Sequence, residues 1–353
     1  MPSVVHRLFT RGRGLGLAVT VALTTGGLAV LGALLLGLPL RDPDGFLGPS
    51  WLRLPAILGL FIVADIVPRT LIRARGLTNL RPALRHVIAH RWPWERLVVV
   101  LVALASFYVT YVGYRNLKSF LPMVRAQSED LALMYSDDVL AFGHHPGDLL
   151  HEVLGTGVSA HVLSFVYISF LLFVPISLAA ALVWSRDVTL GLWYTTALCL
   201  NWSLGTASYY MIPASGPFAE FRWRFYDLPE TGVSALQSGM LRARSNVLAD
   251  PLSTMSVSSI AAFASLHTSI VFTAALIVHL AGFPKVVRWT MWVFFVLTVV
   301  STIYFGWHYI VDDVAGLVIG GLSVWLGWLG TRKASDSLSR TQAQVSTEQL
   351  VPH

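Results

Sequence analysis

Long apolar stretches alternate with polar or basic segments along the whole chain. A membrane core of about 30 Å is crossed by about 20 predominantly apolar residues in a helix. The pattern therefore predicts a protein that crosses a membrane repeatedly, with eight spans. These spans are residues 15–38, 54–68, 97–114, 162–184, 188–212, 265–283, 289–310 and 314–330.

The composition agrees with a membrane protein. Hydrophobic residues make up 55% of the chain and charged residues 12%, against roughly 25% charged residues in soluble domains. This balance excludes an ordinary soluble enzyme and a disordered protein, and it favours an all-α integral membrane protein. The single Cys199 lies in an apolar run, so a disulfide framework and a thiolate metal cluster are also excluded.

Basic segments predict the orientation in the membrane, because cytoplasmic loops carry an excess of Lys and Arg. The segment 69–96 holds seven arginines against Glu95 alone, and the N-terminal tail is also basic, with Arg7, Arg11 and Arg13. We expect both segments in the cytoplasm, which places 115–161 and 213–264 on the outer side. The formal net charge of +6 thus reflects loops, not a nucleic-acid partner. Both termini are then cytoplasmic.

The same pattern divides the chain into four parts. Residues 1–68 form a tail and two spans, 69–96 a basic cytoplasmic loop, 97–330 a six-span catalytic bundle, and 331–353 a polar tail that we expect to be disordered. The first apolar run is longer than a signal peptide and lacks a small-residue cleavage site, which predicts a retained span. The Ala-, Gly-, Arg- and Trp-rich composition is typical of a high-GC bacterium, so we expect the inner (cell) membrane.

Two histidines lie where apolar helices are expected to meet the outer side. His267 follows Ser265, which can cap the helix that begins there. Free backbone N–H groups and the positive end of the helix dipole favour an anion in the first turn. This start of a span, rich in hydroxyl groups, therefore suits a phosphate group.

The second histidine, His308, precedes Asp312 by four residues, so in a helix the two share a face with Ser301 and Tyr304. A carboxylate bonded to one ring nitrogen sets the tautomer and leaves the other nitrogen free to attack. His308 and Asp312 are therefore a candidate activated nucleophile. Because the two spans are adjacent and antiparallel, we expect His267 and His308 to meet at one outer surface.

These residues resemble a known family. The pattern Ser301-Thr302-x5-His308-x3-Asp312 is similar to the third signature of the type-2 phosphatidic acid phosphatase superfamily, Ser-Arg-x5-His-x3-Asp. Ala264-Ser265-Leu266-His267 resembles its second signature, Pro-Ser-Gly-His. The resemblance covers about residues 97–330.

Departures from the signatures point to one branch. Thr302 stands where the superfamily has Arg, Leu266 replaces Gly, and no Lys-x6-Arg-Pro first signature precedes His267. The absence of these basic residues is similar to the branch of inositol phosphorylceramide synthase and sphingomyelin synthase, which transfers a phospho-headgroup between lipids. The stretch from Tyr209 to Pro217 loosely resembles the Tyr- and Pro-rich stretch of that branch.

The resemblance implies the roles of the site residues. His308 attacks phosphorus with the help of Asp312 and forms a phosphohistidine, and His267 protonates the leaving alcohol. No metal or other cofactor is required. The partners are membrane lipids: a phospholipid or polyprenyl phosphate donor and a lipid or polyol acceptor. Hydrolysis of a lipid phosphate by the same triad is the alternative.

A cation must replace the missing basic residues, because the phosphoryl oxygens carry negative charge. The outer-side candidates are Arg115 and Lys118 at the end of a span, and Arg222 and Arg224 after a Gly-Pro turn. Ser265, Ser301 and Tyr304 are further candidates for binding the phosphate.

The outer segment 115–161 also contains a group of potential metal ligands. His144, Asp148 and His151 would share a face of a helix and could bind zinc. Pro146 and Gly147 interrupt that helix at its start, which favours an interfacial amphipathic helix instead. A transporter is less compatible with the sequence, because the ionisable cluster lies at an outer surface and not at the membrane midplane.

Overall fold

A computed structural model describes residues 13–45, 50–76 and 79–348 of the chain. In these ranges the chain forms helices and connecting segments, and no β-strand. The helices of nine residues or more in these ranges are α1 Gly16–Leu36, α2 Ser50–Ala74, α3 Leu80–Arg91, α4 Trp94–Val124, α5 Asp130–Leu140, α6 Pro146–Leu154, α7 Val158–Ala179, α8 Val188–Met211, α9 Gly232–Ala249, α10 Leu266–Leu280, α11 Lys285–Tyr304 and α12 Ile310–Glu348. A π-helical turn, Ala180–Trp184, extends α7.

Eight of these helices occupy the positions of the predicted spans. Six of them are long and apolar enough to cross a membrane: α1, α2, α4, α7 with its π-helical turn, α11 and α12 up to Thr331. Helix α10 is apolar but has 15 residues, and α8 is not among the six. The protein is therefore an all-helical, multi-pass membrane protein, and a total of eight spans stays a prediction.

Helix α8 is less apolar than its neighbours because it lies inside the bundle. Its polar side chains Thr195, Thr196, Asn201 and Thr206 are all buried. Each donates a hydrogen bond to the backbone carbonyl four residues earlier. A polar side chain satisfied in this way can be buried at low cost. A helix surrounded by other helices also has no need of an apolar surface toward lipid.

The segment 69–96, predicted as a basic loop between spans, is largely helical in the structure. Helix α2 continues to Ala74, and α3 fills most of the remaining segment. The arginines, leucines and alanines of this segment are good helix formers. Helix α3 also buries Ala83 and Val87, which gives it a packed face. A basic segment can therefore connect two spans and still be helical, because charge does not oppose a helix with one apolar stripe.

The structure describes most of the segment 331–353, which was predicted to be a disordered tail, as helix. Helix α12 continues from the membrane domain to Glu348. Extending an existing helix avoids the cost of nucleation, and the Ala, Arg, Lys and Gln residues of this segment favour helix. Residues 349–353 lie outside the described residues, as do Arg7 and Arg11 of the basic N-terminal tail.

A turn separates the last two helices, so His308 and Asp312 are not on one helix as predicted. Helix α11 ends at Tyr304 and α12 begins at Ile310, whereas the sequence predicted a span over 289–310. Gly306 has a φ of +67°, which only glycine adopts at low cost. This conformation ends α11 and turns the chain back toward α12.

The main hydrophobic core lies between α4, α7, α8, α10 and α12. Val100, Leu182, Leu198, Ile270 and Val271 are among its fully buried side chains.

Helix α1 packs on this bundle through small residues. Ala18, Ala22, Ala29 and Ala33 are buried along one side of it. Small side chains let two helix backbones approach closely in a membrane. A Cβ on Gly113 of α4 would lie 3.0 Å from the carbonyl oxygen of Thr25 in α1.

The helices place two groups of polar residues at opposite ends of the bundle. One cavity is lined by residues from several helix ends, among them Gly14, Arg96, Val188 and Thr331. The starts of α1, α4 and α8 therefore lie together with residue 331 of α12. We call this the arginine end. His267 and His308, at the starts of α10 and of α12, lie near each other at the other end, the histidine end.

Candidate functional site

His267 lies in the first turn of α10. Ser265 caps this helix, and its Oγ accepts a hydrogen bond from the Thr268 backbone N–H. The imidazole packs between two aromatic rings, with centroids 4.4 Å from Tyr167 and 4.2 Å from Phe170. The Tyr167 ring is nearly parallel to the imidazole, at an interplanar angle of 22°. The two aromatic rings therefore restrict the orientation of His267.

His308 lies in the turn between α11 and α12, with its ring centroid 6.2 Å from that of His267. The side chain is 6% exposed, and the ring makes a hydrogen bond with the backbone of Ala262. The pKa of His308 is lowered to about 4, chiefly by burial, with the charge of Asp313 acting to raise it and that of Lys118 acting to lower it. At neutral pH the ring is therefore uncharged, as a nucleophile must be.

Asp312 lies in the first turn of α12, next to His308. Its Oδ2 atom is 3.4 Å from His308 Nδ1 and accepts a hydrogen bond from the Tyr309 backbone N–H. Its Oδ1 atom is buried and has no hydrogen-bond partner among the described residues. The Asp312 backbone carbonyl also accepts a hydrogen bond from Ser265 N–H, which joins the segments of the two histidines.

The neighbouring Asp313 is a buried residue of this region that the sequence did not single out. Its carboxylate accepts a hydrogen bond from Thr268 Oγ1 at 2.5 Å and lies 3.0 Å from Thr302 Oγ1. Thr302 occupies the position of the signature arginine, so a neutral hydroxyl here faces a carboxylate. The double aspartate was visible in the sequence, but the hydroxyl partners of Asp313 come from distant segments.

Of the four candidate cations named from the sequence, Lys118 is the one that interacts electrostatically with the two histidines. It is 7% exposed, and its charge acts on both His267 and His308. The ammonium group lies 4.6 Å from the centre of the Tyr209 ring and 3.5 Å from Tyr114 Oη. No salt bridge joins Lys118 to a carboxylate within the described ranges.

The other three candidate cations lie in different surroundings. Arg115 stands above the Tyr111 ring at 5.9 Å, and its Nε atom is buried without a described partner. Arg224 forms a salt bridge of 2.6 Å with Asp148. Arg222 is exposed, and its Nε donates to the Ala219 carbonyl. Arg222 and Arg224 therefore have contacts that do not involve the histidines.

Ser301 and Tyr304 are buried at the end of α11. The Ser301 hydroxyl donates to the Thr298 carbonyl within the same helix. The Tyr304 hydroxyl donates to the Gly155 carbonyl at 2.7 Å, which joins α11 to the segment after α6. Both hydroxyl protons are thus engaged with backbone carbonyls, and the Tyr304 contact ties α11 to its neighbour.

A group of carboxylates outside the spans holds the turn that carries His308. Asp130 accepts hydrogen bonds from the Tyr309 hydroxyl and from the backbone N–H groups of Ser215 and Gly216. Asp137 accepts one from Ile310 N–H, the first residue of α12. The pKa of Asp137 is raised to about 7, chiefly by burial and also by neighbouring carboxylates, although the hydrogen bond from Ile310 N–H acts to lower it. The acidic outer segment seen in the sequence therefore positions the site from α5.

The residues of the possible zinc site have other contacts. His144 precedes α6, which begins at Pro146. Asp148 binds Arg224, and His151 Nε2 lies 2.8 Å from the Tyr304 carbonyl. In the described ranges no group of three potential metal ligands comes together.

The arrangement of these residues suits chemistry on a phosphate ester. It combines a neutral imidazole next to a carboxylate, a second imidazole that could transfer a proton, a cation and the N-terminus of a helix. A family model described as the PAP2 superfamily matches residues 131–326, more than half of the chain. The match begins after α4, so Lys118 lies outside it. No curated protein and no solved structure matches the chain.

Proposed function

Because the chain belongs to the PAP2 superfamily, a family of lipid phosphatases and phosphotransferases, we propose that it transfers a phospho-headgroup from a membrane lipid to an alcohol acceptor. The single observation that carries this proposal is the convergence of three distant segments. His267, His308 and Lys118 lie far apart in the sequence, yet the two imidazoles are 6.2 Å apart and the charge of Lys118 acts on both.

The first half of the reaction forms a phosphohistidine. A ring nitrogen of His308 attacks phosphorus, and the bond between phosphorus and the leaving alcohol oxygen breaks. His267 donates a proton to that oxygen, so the first product leaves as a neutral alcohol. Asp312 stabilises the positive charge that develops on the His308 ring.

The second half reverses these roles. The acceptor alcohol gives its proton to His267, and its oxygen attacks phosphorus while the N–P bond breaks. His308 returns to its neutral form and His267 to its protonated form, so protons balance over the cycle. Lys118 and the N–H groups at the start of α10 stabilise the negative charge on the phosphoryl oxygens in both steps.

The small number of cations near the histidines supports transfer over hydrolysis of a monoester. A terminal phosphate carries nearly two negative charges at neutral pH, whereas a phosphodiester carries one. At the position of the signature arginine, Thr302 faces Asp313 instead of supplying a positive charge. One buried lysine matches a singly charged diester, which is the chemistry of the headgroup-transferring branch.

The proposal includes a topology. Eight spans alternate between the two ends of the bundle, and the arginine end lies in the cytoplasm because of its excess of arginine. The reaction then takes place on the outer side of a bacterial inner membrane, and both termini are cytoplasmic. Residues 97–330 form the catalytic bundle, and the two preceding spans pack on it.

The test combines heavy-oxygen water with mass spectrometry. The full-length protein in mixed micelles receives a panel of phospholipids and polyprenyl phosphates with polyol and lipid alcohols, and His308→Ala is the control. We expect a new phosphodiester without heavy oxygen that is absent from the control. A phosphorylated tryptic peptide containing His308 would identify the covalent intermediate.

Two results would change the proposal. Heavy oxygen in released inorganic phosphate, dependent on His308, would mean that water is the acceptor and that the protein is a lipid phosphatase. Product formation that persists in His308→Ala would overturn the nucleophile and the proposed mechanism.

A further inference from the structure

A cavity of about 1160 Å³ opens at the arginine end of the bundle, between α2, α3, α4 and the start of α8. Six arginines and two histidines line it, and no carboxylate is among its lining residues in the described part of the chain. The arginines are Arg69, Arg73, Arg75, Arg91, Arg96 and Arg186, and the histidines are His86 and His90.

Three of the arginines have partners within the protein. Arg69 and Arg91 both bind the buried Asp65, at 2.9 and 3.0 Å. Arg91 and Arg96 also donate to carbonyls at the end of the π-helical turn that follows α7, including that of Ser185 at 2.7 Å. These three side chains therefore build the wall of the cavity.

The other three arginines have no such partners. Arg73, Arg75 and Arg186 are exposed and form no salt bridge or side-chain hydrogen bond with a described residue. Arg96 contributes a further unmet donor, because it is 8% exposed and its Nε atom has no described partner. The cavity thus holds positive charge that no described residue neutralises through a salt bridge.

The cavity is separate from the histidine site. Arg96 and Lys118 lie on the same helix, α4, and are 22 residues apart. At 1.5 Å per residue this is about 33 Å, close to the thickness of a bilayer core. A ligand in the cavity therefore cannot touch the histidines.

We propose that this cavity binds a phosphate-bearing anion. Guanidinium groups bind phosphate oxygens in pairs of parallel hydrogen bonds and lose less hydration energy than ammonium groups. Several guanidinium groups around a concave surface select a compact, multiply charged anion over an extended chain. The cavity also contains the apolar residues Ile72, Val99 and Leu192. The phosphate belongs either to an anionic lipid headgroup or to a soluble phosphate compound.

Two variants that remove equal charge from the same end of the bundle separate this site from general surface attraction. Arg73→Gln/Arg186→Gln removes two unpaired arginines that line the cavity. Arg81→Gln/Arg85→Gln removes two exposed arginines of α3 that do not line it. Both variants leave the histidine end unchanged, so binding there is the same in each. Arg75→Gln replaces the first variant if that protein does not fold.

Native mass spectrometry of the full-length protein measures bound phosphatidylglycerol against phosphatidylcholine, and calorimetry measures inorganic pyrophosphate binding. Loss of a charge-assisted hydrogen bond weakens binding by about tenfold or more. We expect that loss in the cavity variant and not in the control variant. Loss for phosphatidylglycerol identifies a lipid headgroup, and loss for pyrophosphate alone identifies a soluble phosphate. Equal loss in both variants, or no loss in either, overturns the proposal.

Discussion

The ammonium group of Lys118 lies 4.6 Å from the centre of the Tyr209 ring and 5.7 Å from that of Tyr114. Aromatic faces stabilise a cation without neutralising it. In the described ranges no carboxylate forms a salt bridge with this lysine. In its protonated form Lys118 is therefore available to a phosphate group, because none of the described carboxylates forms a salt bridge with it.

The first prediction concerns Lys118 itself. Lys118→Met keeps the length of the side chain and its packing on the two tyrosines but removes the charge. We expect turnover to fall by about 10²–10³-fold, as when one group that stabilises charge in the transition state is lost. Arg242→Gln, an exposed residue of α9 at the same end, is the matched control. Turnover within twofold of the wild type in Lys118→Met would show that another cation binds the phosphate.

A second prediction follows from the contact between Asp312 and His308. Asp312→Asn preserves the acceptor for Tyr309 N–H but removes the carboxylate that stabilises the charged ring. We expect turnover to fall by about 10²–10⁴-fold. Thermal unfolding and size-exclusion chromatography should match the wild type. A variant that folds and turns over normally would exclude Asp312 as the partner of the nucleophile.

The third prediction concerns the acid limb of the pH profile. Burial lowers the pKa of His308 to about 4, so the neutral form persists well below the ordinary pKa of about 6.5. Because protonated imidazole cannot attack phosphorus, kcat/KM should fall only as the pH approaches 4. Initial rates between pH 3.5 and 8 measure this limb. A limb near 6.5 would show that His308 is solvated in the free enzyme.

The fourth prediction is that Asp137 lowers the free energy of unfolding as the pH rises. An ordinary ion-paired carboxylate does the opposite. The pKa of Asp137 is raised to about 7 by burial, so the folded state binds a proton that the unfolded state releases. Its contribution to stability is therefore present at low pH and is lost as the pH rises through 7.

Asp137→Asn tests this contribution, because the amide oxygen can still accept from Ile310 N–H. Thermal unfolding at pH 5 and pH 8 is the measurement. We expect the variant to gain stability relative to the wild type at pH 8 and much less at pH 5. An equal difference at both pH values would show that the Asp137 carboxyl group does not titrate in this range.

The last prediction concerns the turn that carries His308. A Cβ on Gly306 would lie 2.2 Å from the Phe225 ring, in a left-handed conformation with φ of +67°. We expect Gly306→Ala to displace this turn and abolish turnover. Gly143→Ala is the matched control, since its φ is +89° and its Cβ would have open space.

The control isolates the backbone strain, which costs about 1 kcal/mol. It should lower the unfolding temperature slightly and leave turnover intact. Phe225→Ala combined with Gly306→Ala should restore part of the activity by removing the clash. No restoration in this double variant would mean that strain, not the contact with Phe225, disables the turn.

The sequence alone was enough to predict the long helices and four residues of the candidate site. Apolar runs predicted the long helices, because the bilayer imposes length and apolarity on each span locally. Two short motifs also identified candidate site residues, because each motif spans only a few positions of the sequence. These residues are Ser265, His267, His308 and Asp312. Helix α8, with its buried hydroxyl and amide groups, also gave a recognisable apolar run.

Tertiary structure decided which cation lies beside the histidines and which polar residues are engaged elsewhere. The sequence could not rank the four candidate phosphate-binding cations, Arg115, Lys118, Arg222 and Arg224. Their charge and approximate depth in the membrane do not specify their distance from the histidines across the bundle. Packing of α4 against α8 brings Lys118 to Tyr209, whereas Asp148 holds Arg224. Such contacts between distant segments depend on the whole fold, and hydrophobic periodicity carries no information about them.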